Sequence, residues 1–197
     1  MNNKSQLRAE FRAQRAALTS AQQEQASRQA ALHLTASRWF RTSRHIACYI
    51  AHNGEIDVFP IIEKIWQMNK VCYLPVVSHL SWDHLWFTPF EPDTPFVLNR
   101  YGIPEPDIER RHWIRAQLLD LVLMPLVAFD LLGNRIGMGA GFYDRSLAFL
   151  QRRNHWRRPH LVGLAHDFQK VENIQPEPWD VALQGVVTDK RFYTIAG

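Results

Sequence analysis

Apolar residues recur at helical intervals over the first forty or so positions and then fall into short runs that suit strands. Lys4 to Leu18 reads as a helix with Leu7, Phe11 and Leu18 on one face. A second helix opens at Thr19. Thr19 with Gln22, or Ser20 with Gln23, has the spacing of a capping box, in which side chains satisfy the free amides of the first turn. Ala26, Ala30 and Leu34 follow at intervals of four. HIACYIA at 45–51 is β-branched and aromatic, a buried strand. Asp57 is placed to cap a helix to about Asn69, with Ile61, Ile65 and Met68 facing inward. VCYLPVV at 71–77 is the next strand, and HLWFTPF at 84–90 is one near an edge, given Pro89. Residues 91–117 are rich in proline and charge, and YGIPEP at 101–106 reads as loop. LDLVLMPLVAF at 119–129 begins as a strand, FYDRSLAFL at 142–150 is helical, and LVGLA at 161–165 and GVVT at 185–188 complete the strands.

Strands alternating with helices predict an α/β fold: three-layer, with a mostly parallel open sheet and helices on both faces. This is a Rossmann-like arrangement, similar to the sugar-phosphate isomerase and CoA transferase type. No repeat or long linker divides the chain, so residues 1–197 are expected to form a single domain. Ligands of such sheets bind at the carboxyl ends of the strands.

Composition narrows the class. With 46% hydrophobic and 21% charged residues in 197, the chain is neither disordered, collagen-like nor a disulfide scaffold. Its two cysteines, Cys48 and Cys72, each sit in an apolar run with no CxxC pair, which points to buried strand thiols and a cytoplasmic setting. No run approaches the ~18 apolar residues of a membrane span. The Arg-rich start lacks the apolar core of a secretory signal and carries Glu10 and Glu24, so it is read as part of the mature fold.

The net charge of +4 is unevenly spread. Residues 1–44 hold eight Lys and Arg against two Glu, and Arg152, Arg153, Arg157 and Arg158 surround Trp156. Such patches attract nucleotides or nucleic acid, or simply solvate a helix face. Composition leaves these open. The nine histidines are scattered with no HExxH, and no GxSxG is present.

The informative segment is FDLLGNRIGMGAGFYDR at 129–145, in which Gly133, Gly137, Gly139 and Gly141 lie within nine residues. Glycines let a backbone approach a ligand closely, and successive amides, helped by the amino end of the next helix, can face an anion. The spacing is neither a P-loop nor the dinucleotide fingerprint. A structural turn is the other reading of such a loop. Arg135 adds a guanidinium fork for phosphate oxygens, and Asp144 a carboxylate suited to a magnesium ion shared with phosphates.

GNRIGMGAGFYDR closely resembles the glycine-rich motif of 5-formyltetrahydrofolate cyclo-ligases, roughly G-x-R-[LI]-G-x-G-x-G-[FY]-Y-D. The likeness spans nearly the whole chain: Lys4 and Arg8 match an N-terminal K-x-x-x-R, and CYIAHNGEID at 48–57, YGIPEP at 101–106 and PWD at 178–180 follow in order. The resemblance implies conversion of 5-formyltetrahydrofolate, with or without a polyglutamate tail, and MgATP to 5,10-methenyltetrahydrofolate, ADP and phosphate. Carried over by position, ATP contacts are implied for Lys4, Ser5, Gln6, Leu7 and Arg8. They are also implied for Arg135, Ile136, Gly137, Met138, Gly139, Ala140, Gly141, Phe142 and Tyr143. Arg135 and Asp144 are the implied catalytic groups, and Asp144 and Asp180 the implied magnesium ligands. Folate is implied to meet Ile50, Glu55 and Tyr101, with Met138, Gly139, Ala140, Gly141 and Phe142 lining the same pocket. The chain departs from many members at Ala140, often glycine, and at Gln184, often an acid. A monomer with no membrane association is expected, and the polyglutamate tail is assigned to the cluster at Arg152. The alternative is a nucleic-acid-binding protein using the basic N-terminal helices and the Arg152–Arg158 cluster. It would leave Arg135, Asp144 and the glycines without a task.

Overall fold

The fold is described from a computed structural model over residues 4–77, 84–99, 102, 104–153 and 158–195. The first helix, α1 (Lys4–Ala16), buries Leu7 and Phe11 as the pattern predicts, but the third position on that face is Arg15. Leu18 lies beyond the helix and is half-buried. The capping box forms at Thr19: its Oγ1 accepts from the Gln22 amide at 3.2 Å while its own amide donates to Gln22 Oε1 at 2.9 Å. That reciprocal pair opens α2 (Ser20–Thr35), whose Ala26, Ala30 and Leu34 are buried. A short α3 (Arg38–Thr42), capped by Ser37, leads into β1 (His45–Ala47). The N-cap of α4 (Phe59–Gln67) is Val58 rather than Asp57, which sits one residue earlier with its Oδ1 accepting from the Phe59 amide at 3.0 Å. Met68 falls just past the end of α4 and is 44% exposed rather than inward.

The edge hairpin β2 (Val71–Val77) and β3 (Leu85–Pro89) agrees with the predicted strands. YGIPEP is not all loop: β4 (Phe96–Leu98) pairs antiparallel with β5 (Pro104–Pro106). After β6 (Leu121–Pro125) come the two-residue partners β7 (Ala128–Phe129) and β8 (Arg135–Ile136). The helix α5 (Phe142–Leu147) gives way to a 3-10 turn over Ala148–Arg152. The strands β9 (His160–Leu164), β10 (Gly185–Val187) and β11 (Phe192–Thr194) follow.

Seven strands form the main sheet in the order β11-β10-β9-β6-β1-β2-β3. Its five inner strands are parallel and both edge strands antiparallel. Side chains alternate between faces. Ile46, Cys72, Leu74, Leu121, Leu123, Val162 and Val187 pack on α2, α3 and α4. Ala47, Tyr73, Val122, Met124, Leu161 and Val186 face Leu147 of α5 and the residues around it. Burial on both faces is why these strands read as unbroken apolar runs. A third cluster joins Leu7 and Phe11 of α1 to Val127, Ala128 and Ile136, tying the first helix to the base of the glycine-rich loop. Chain order reverses between β1 and β6, and in sheets of this kind the crevice beyond the carboxyl ends at such a reversal is the usual ligand site.

Candidate active site

A cleft of about 1020 Å³ opens at that crevice. Its floor is the chain leaving β1 (Tyr49, Ile50) and Pro125 at the end of β6. One wall joins Lys4 and Arg8 of α1, the glycine-rich loop and the segment Glu177–Asp180. The opposite wall joins Pro75 and Val77 of β2 to Pro104 and Glu105 of β5. Sequence positions separated by more than 170 residues meet here: Lys4 Nζ lies 3.2 Å from Glu177 Oε1 and 3.9 Å from Asp180 Oδ2.

The glycine-rich loop is held from several sides. Buried Asp130 accepts from the amides of Leu132 and Asn134 on Oδ1 and from Asn134 Nδ2 and the Ile174 amide on Oδ2, all at 2.9 Å, setting the turn before β8. Arg8 Nε donates to the Gly137 carbonyl at 2.9 Å, and Arg145 Nη2 to the Ala140 carbonyl at 2.9 Å. Gly141 precedes α5 in the left-handed region, at φ 68°, which favours glycine; the Arg145 guanidinium 2.7 Å from where a Cβ would stand can swing aside. With only six residues, α5 contributes little dipole; Lys4, Arg8, Arg135 and Arg145 are the cations that line the cleft around the loop.

Arg135 and Asp144 are brought together. Arg135 Nη2 lies 2.6 Å from Asp144 Oδ1, which also accepts from the Val181 amide at 3.2 Å, while Arg135 Nη1 donates to the Val181 carbonyl. Two of the five guanidinium N–H groups are thus used by partners among the described residues. Asp180 Oδ2 accepts from the Glu177 amide at 2.9 Å. Asp144 and Asp180 each keep an oxygen that accepts no hydrogen bond among the described residues. No group of three or more His, Cys, Asp or Glu suited to a metal occurs among those residues. Two such carboxylates fit magnesium, which typically takes one or two from protein and the rest from phosphates and water.

At the far end of the floor, Glu55 Oε2 accepts from the His52 amide at 3.0 Å. The Glu55 side chain is 8% exposed, and burial pushes its carboxyl above the usual range against the opposing pull of that amide and of Arg15. Burial likewise raises the hydroxyls of Tyr49 and Tyr143 beside it. Tyr49 Oη donates to the Ile56 carbonyl at 2.8 Å, fixing the turn that carries Glu55.

Of the residues picked out in the sequence, Lys4, Arg8, Ile50, Glu55, the whole run Arg135–Asp144 and Asp180 line the cleft. Ser5 and Gln6 do not, and Leu7 turns away into the core. Tyr101 lies outside the described residues. Gln184 is remote from Asp180: its Oε1 accepts from the Leu161 amide at 3.2 Å and meets His160 Nδ1 at 3.0 Å, at the amino end of β9. Arg158, from the second basic cluster, pairs with Asp120 at that same end, away from the cleft; Trp156 and Arg157 lie outside the described residues. Sequence reasoning missed Glu105, whose Oε2 accepts from the Val77 amide at 3.2 Å and from Asn99 Nδ2 at 3.1 Å. It also missed Trp179, 64% exposed at the rim, though PWD contains it.

Residues 1–189 match the 5-formyltetrahydrofolate cyclo-ligase family. The chain belongs to that family. It is 41% identical over 178 residues to the 5-formyltetrahydrofolate cyclo-ligase of Haemophilus influenzae, covering 90% of this chain and 93% of that one. To the enzyme of the same name from Escherichia coli K12 it is 38% identical over 183 residues, covering 93% and 98%. The solution structure of Aquifex aeolicus 5,10-methenyltetrahydrofolate synthetase superposes with a TM-score of 0.81 at 27% identity, covering 98% of this chain and 93% of that one. Membership accounts for the spacing of the glycine loop, which fits neither common phosphate motif. No helix among the described residues is long and apolar enough to cross a membrane.

Proposed function

We propose that this chain catalyses the ATP- and magnesium-dependent cyclisation of 5-formyltetrahydrofolate to 5,10-methenyltetrahydrofolate, releasing ADP and phosphate. The observation that carries the reading is the chemistry gathered in one cleft. Its lining holds a charged set, Lys4, Arg8, Arg135, Asp144 and Asp180, and an apolar set, Ile50, Pro75 and Val77, with the buried carboxylate of Glu55. The first suits a triphosphate, the second a flat ring with an edge of N–H donors. Family membership supports both assignments.

In this scheme the triphosphate lies along the glycine-rich loop, with Lys4, Arg8 and the spare N–H groups of Arg135 on its oxygens. Asp144 and Asp180 would hold magnesium, which there would neutralise phosphate charge. Glu55 accepts the adjacent N–H donors of the pterin, and Ile50 packs on its face. So held, the formyl oxygen attacks the γ-phosphorus and ADP leaves. The nitrogen at position 10 then bonds to the formyl carbon, sheds its proton, and the carbon–oxygen bond breaks to release phosphate. Positioning and charge stabilisation supply most of the acceleration of such transfers, so no protein nucleophile is needed.

We read the chain as one catalytic domain acting as a cytoplasmic monomer. Its two buried free thiols, the Cys48 thiol pushed up by burial, suit a reducing compartment. The test is spectrophotometric: 5-formyltetrahydrofolate, ATP and magnesium are mixed with the protein and the near-ultraviolet band of the methenyl product followed. Growth of the band only with both ATP and magnesium is expected. No growth from folded protein overturns the reading and makes salt-sensitive oligonucleotide binding the next measurement.

A further inference from the structure

The amphipathic face of α1 carries an anomaly. Leu7 and Phe11 lead to Arg15 on the same stripe, and that side chain is fully buried. None of its three guanidinium nitrogens has a hydrogen-bond partner among the described residues. A buried charge without good partners costs several kcal/mol, about what an apolar side chain in its place would avoid. Positions that break a local rule this sharply tend to serve the site they adjoin.

What Arg15 adjoins is the folate end of the cleft. Its Nη1 stands 3.8 Å from Glu55 Oε1, the one ion-pair contact it makes among the described residues. The turn carrying Glu55 is seated on its backbone: a Cβ on Gly54, at φ 72°, would come within 3.1 Å of both the Arg15 Cβ and carbonyl oxygen. From the other side, His166 Nε2 meets the Gly54 carbonyl at 3.1 Å. The groups facing Glu55 are the His52 amide of its own turn, Tyr49 at the end of β1, Tyr143 of α5 and Arg15 of α1. Only Arg15 is a cation. Beyond it lie Arg12 and His166, which face Arg15, and Asp57, which faces Tyr49.

We propose that Arg15 is a positioning residue for the folate site: its buried guanidinium keeps Glu55 an ionised, acceptor-only carboxylate for the donor pair of the pterin ring. The inference rests on the reading of Glu55 as the folate anchor. An ionised carboxylate accepts from both donors of the ring edge. A protonated one offers a donor where an acceptor is required. Burial favours the protonated form of Glu55, and Arg15 opposes it. The guanidinium touches no substrate and acts through Glu55.

The experiment measures folate and ATP KM across pH for the wild type, R15M, R15K and E55Q, with thermal unfolding of each. R15M is expected to raise the folate KM at least tenfold at pH 7, to leave the ATP KM within twofold, and to recover as rising pH ionises Glu55. R15K, which retains a charge, is expected to stay within about threefold of wild type at pH 7. E55Q loses folate affinity at every pH. A folate KM in R15M that is displaced equally at all pH values, or a matching rise in the ATP KM, overturns the proposal and leaves Arg15 a packing residue. Should R15M fail to fold, R15K decides: a pH-independent loss of folate affinity in it has the same force. Normal folate affinity in E55Q instead removes the underlying assignment of Glu55.

Discussion

The two oxygens of Asp144 allow its structural and chemical roles to be separated by one substitution. Oδ1 is occupied, by Arg135 Nη2 at 2.6 Å and the Val181 amide at 3.2 Å, whereas Oδ2 has no partner among the described residues and the side chain lines the cleft. In Asp144→Asn, the amide oxygen can keep both Oδ1 contacts while a donor replaces the free acceptor. The Val181 amide bond becomes a neutral one worth about 0.5–1.5 kcal/mol, while the Arg135 bond keeps its charged donor but leaves that mostly buried guanidinium without a counter-charge, so stability should fall by about 1–3 kcal/mol. If Asp144 is one of two carboxylates that hold magnesium, as proposed, its loss is a different order of effect, on the scale of about 10²–10³-fold in turnover. Urea unfolding measures the first quantity. Initial rates of methenyl formation against magnesium concentration measure the second. The expected result is a folded variant with at least hundredfold lower kcat and a raised magnesium requirement. Turnover within about threefold of wild type at limiting magnesium would refute the metal role. A stability loss well beyond about 3 kcal/mol would show that the Arg135 pair is chiefly a structural clamp.

Three further outcomes follow from the geometry. Arg8→Ala removes both a cation and the tether on the Gly137 carbonyl, so the ATP KM should rise about tenfold with the folate KM little changed, as steady-state kinetics will show. Asp130→Asn places a donor against two of the four donors that its carboxylate now satisfies, and urea unfolding should register a loss of about 2–6 kcal/mol. Burial holds the His166 imidazole below its ordinary value, despite its contact with the Gly54 carbonyl and the pull of Asp189. Below about pH 6.5 the unfolded chain therefore binds a proton that the folded chain refuses. Stability should fall as pH drops through that window, by at most about 1.4 kcal/mol per pH unit from this group. His166→Gln should flatten that slope in a urea series from pH 7.5 to 5.5, and an unchanged slope excludes His166 as its source.

Much of the sheet was legible because its inner strands are buried on both faces and therefore read as apolar runs; β2 spans the full predicted VCYLPVV. The capping box at Thr19 was equally plain, since both of its hydrogen bonds are local. What escaped was short, half-exposed or settled at long range. β4 is exposed throughout, and β5 holds two prolines. β8 has two residues inside a glycine-rich stretch, and β11 is an exposed edge. Their pairing is decided by partners elsewhere in the chain, not by their own periodicity. Met68 was misplaced because helical periodicity was extended one residue past the point where α4 ends. In the cleft, residues in a recognisable spacing were visible, while Arg15 and Glu105 were hidden for the same reason. Each is a charged side chain at a position that pattern reading gives to a core residue or a loop.

Lys4 reaches Glu177 across 173 residues of chain and also meets Asp180, and this has a consequence for synthesis. As the polypeptide leaves the ribosome, α1 emerges before its cover, with Leu7 and Phe11 exposed. Its cover, Val127, Ala128, Ile136 and Ile174, is made only after two-thirds of the chain has been translated. Contacts of such separation form late, after the costly closure of a long loop. The nascent chain thus carries an apolar stripe in search of a partner for most of its translation, the kind of segment that a ribosome-associated chaperone holds. The cleft wall built from α1, the glycine-rich loop and Glu177–Asp180 is absent until that helix docks. The cleft of the growing chain is therefore incomplete until its sheet is nearly finished.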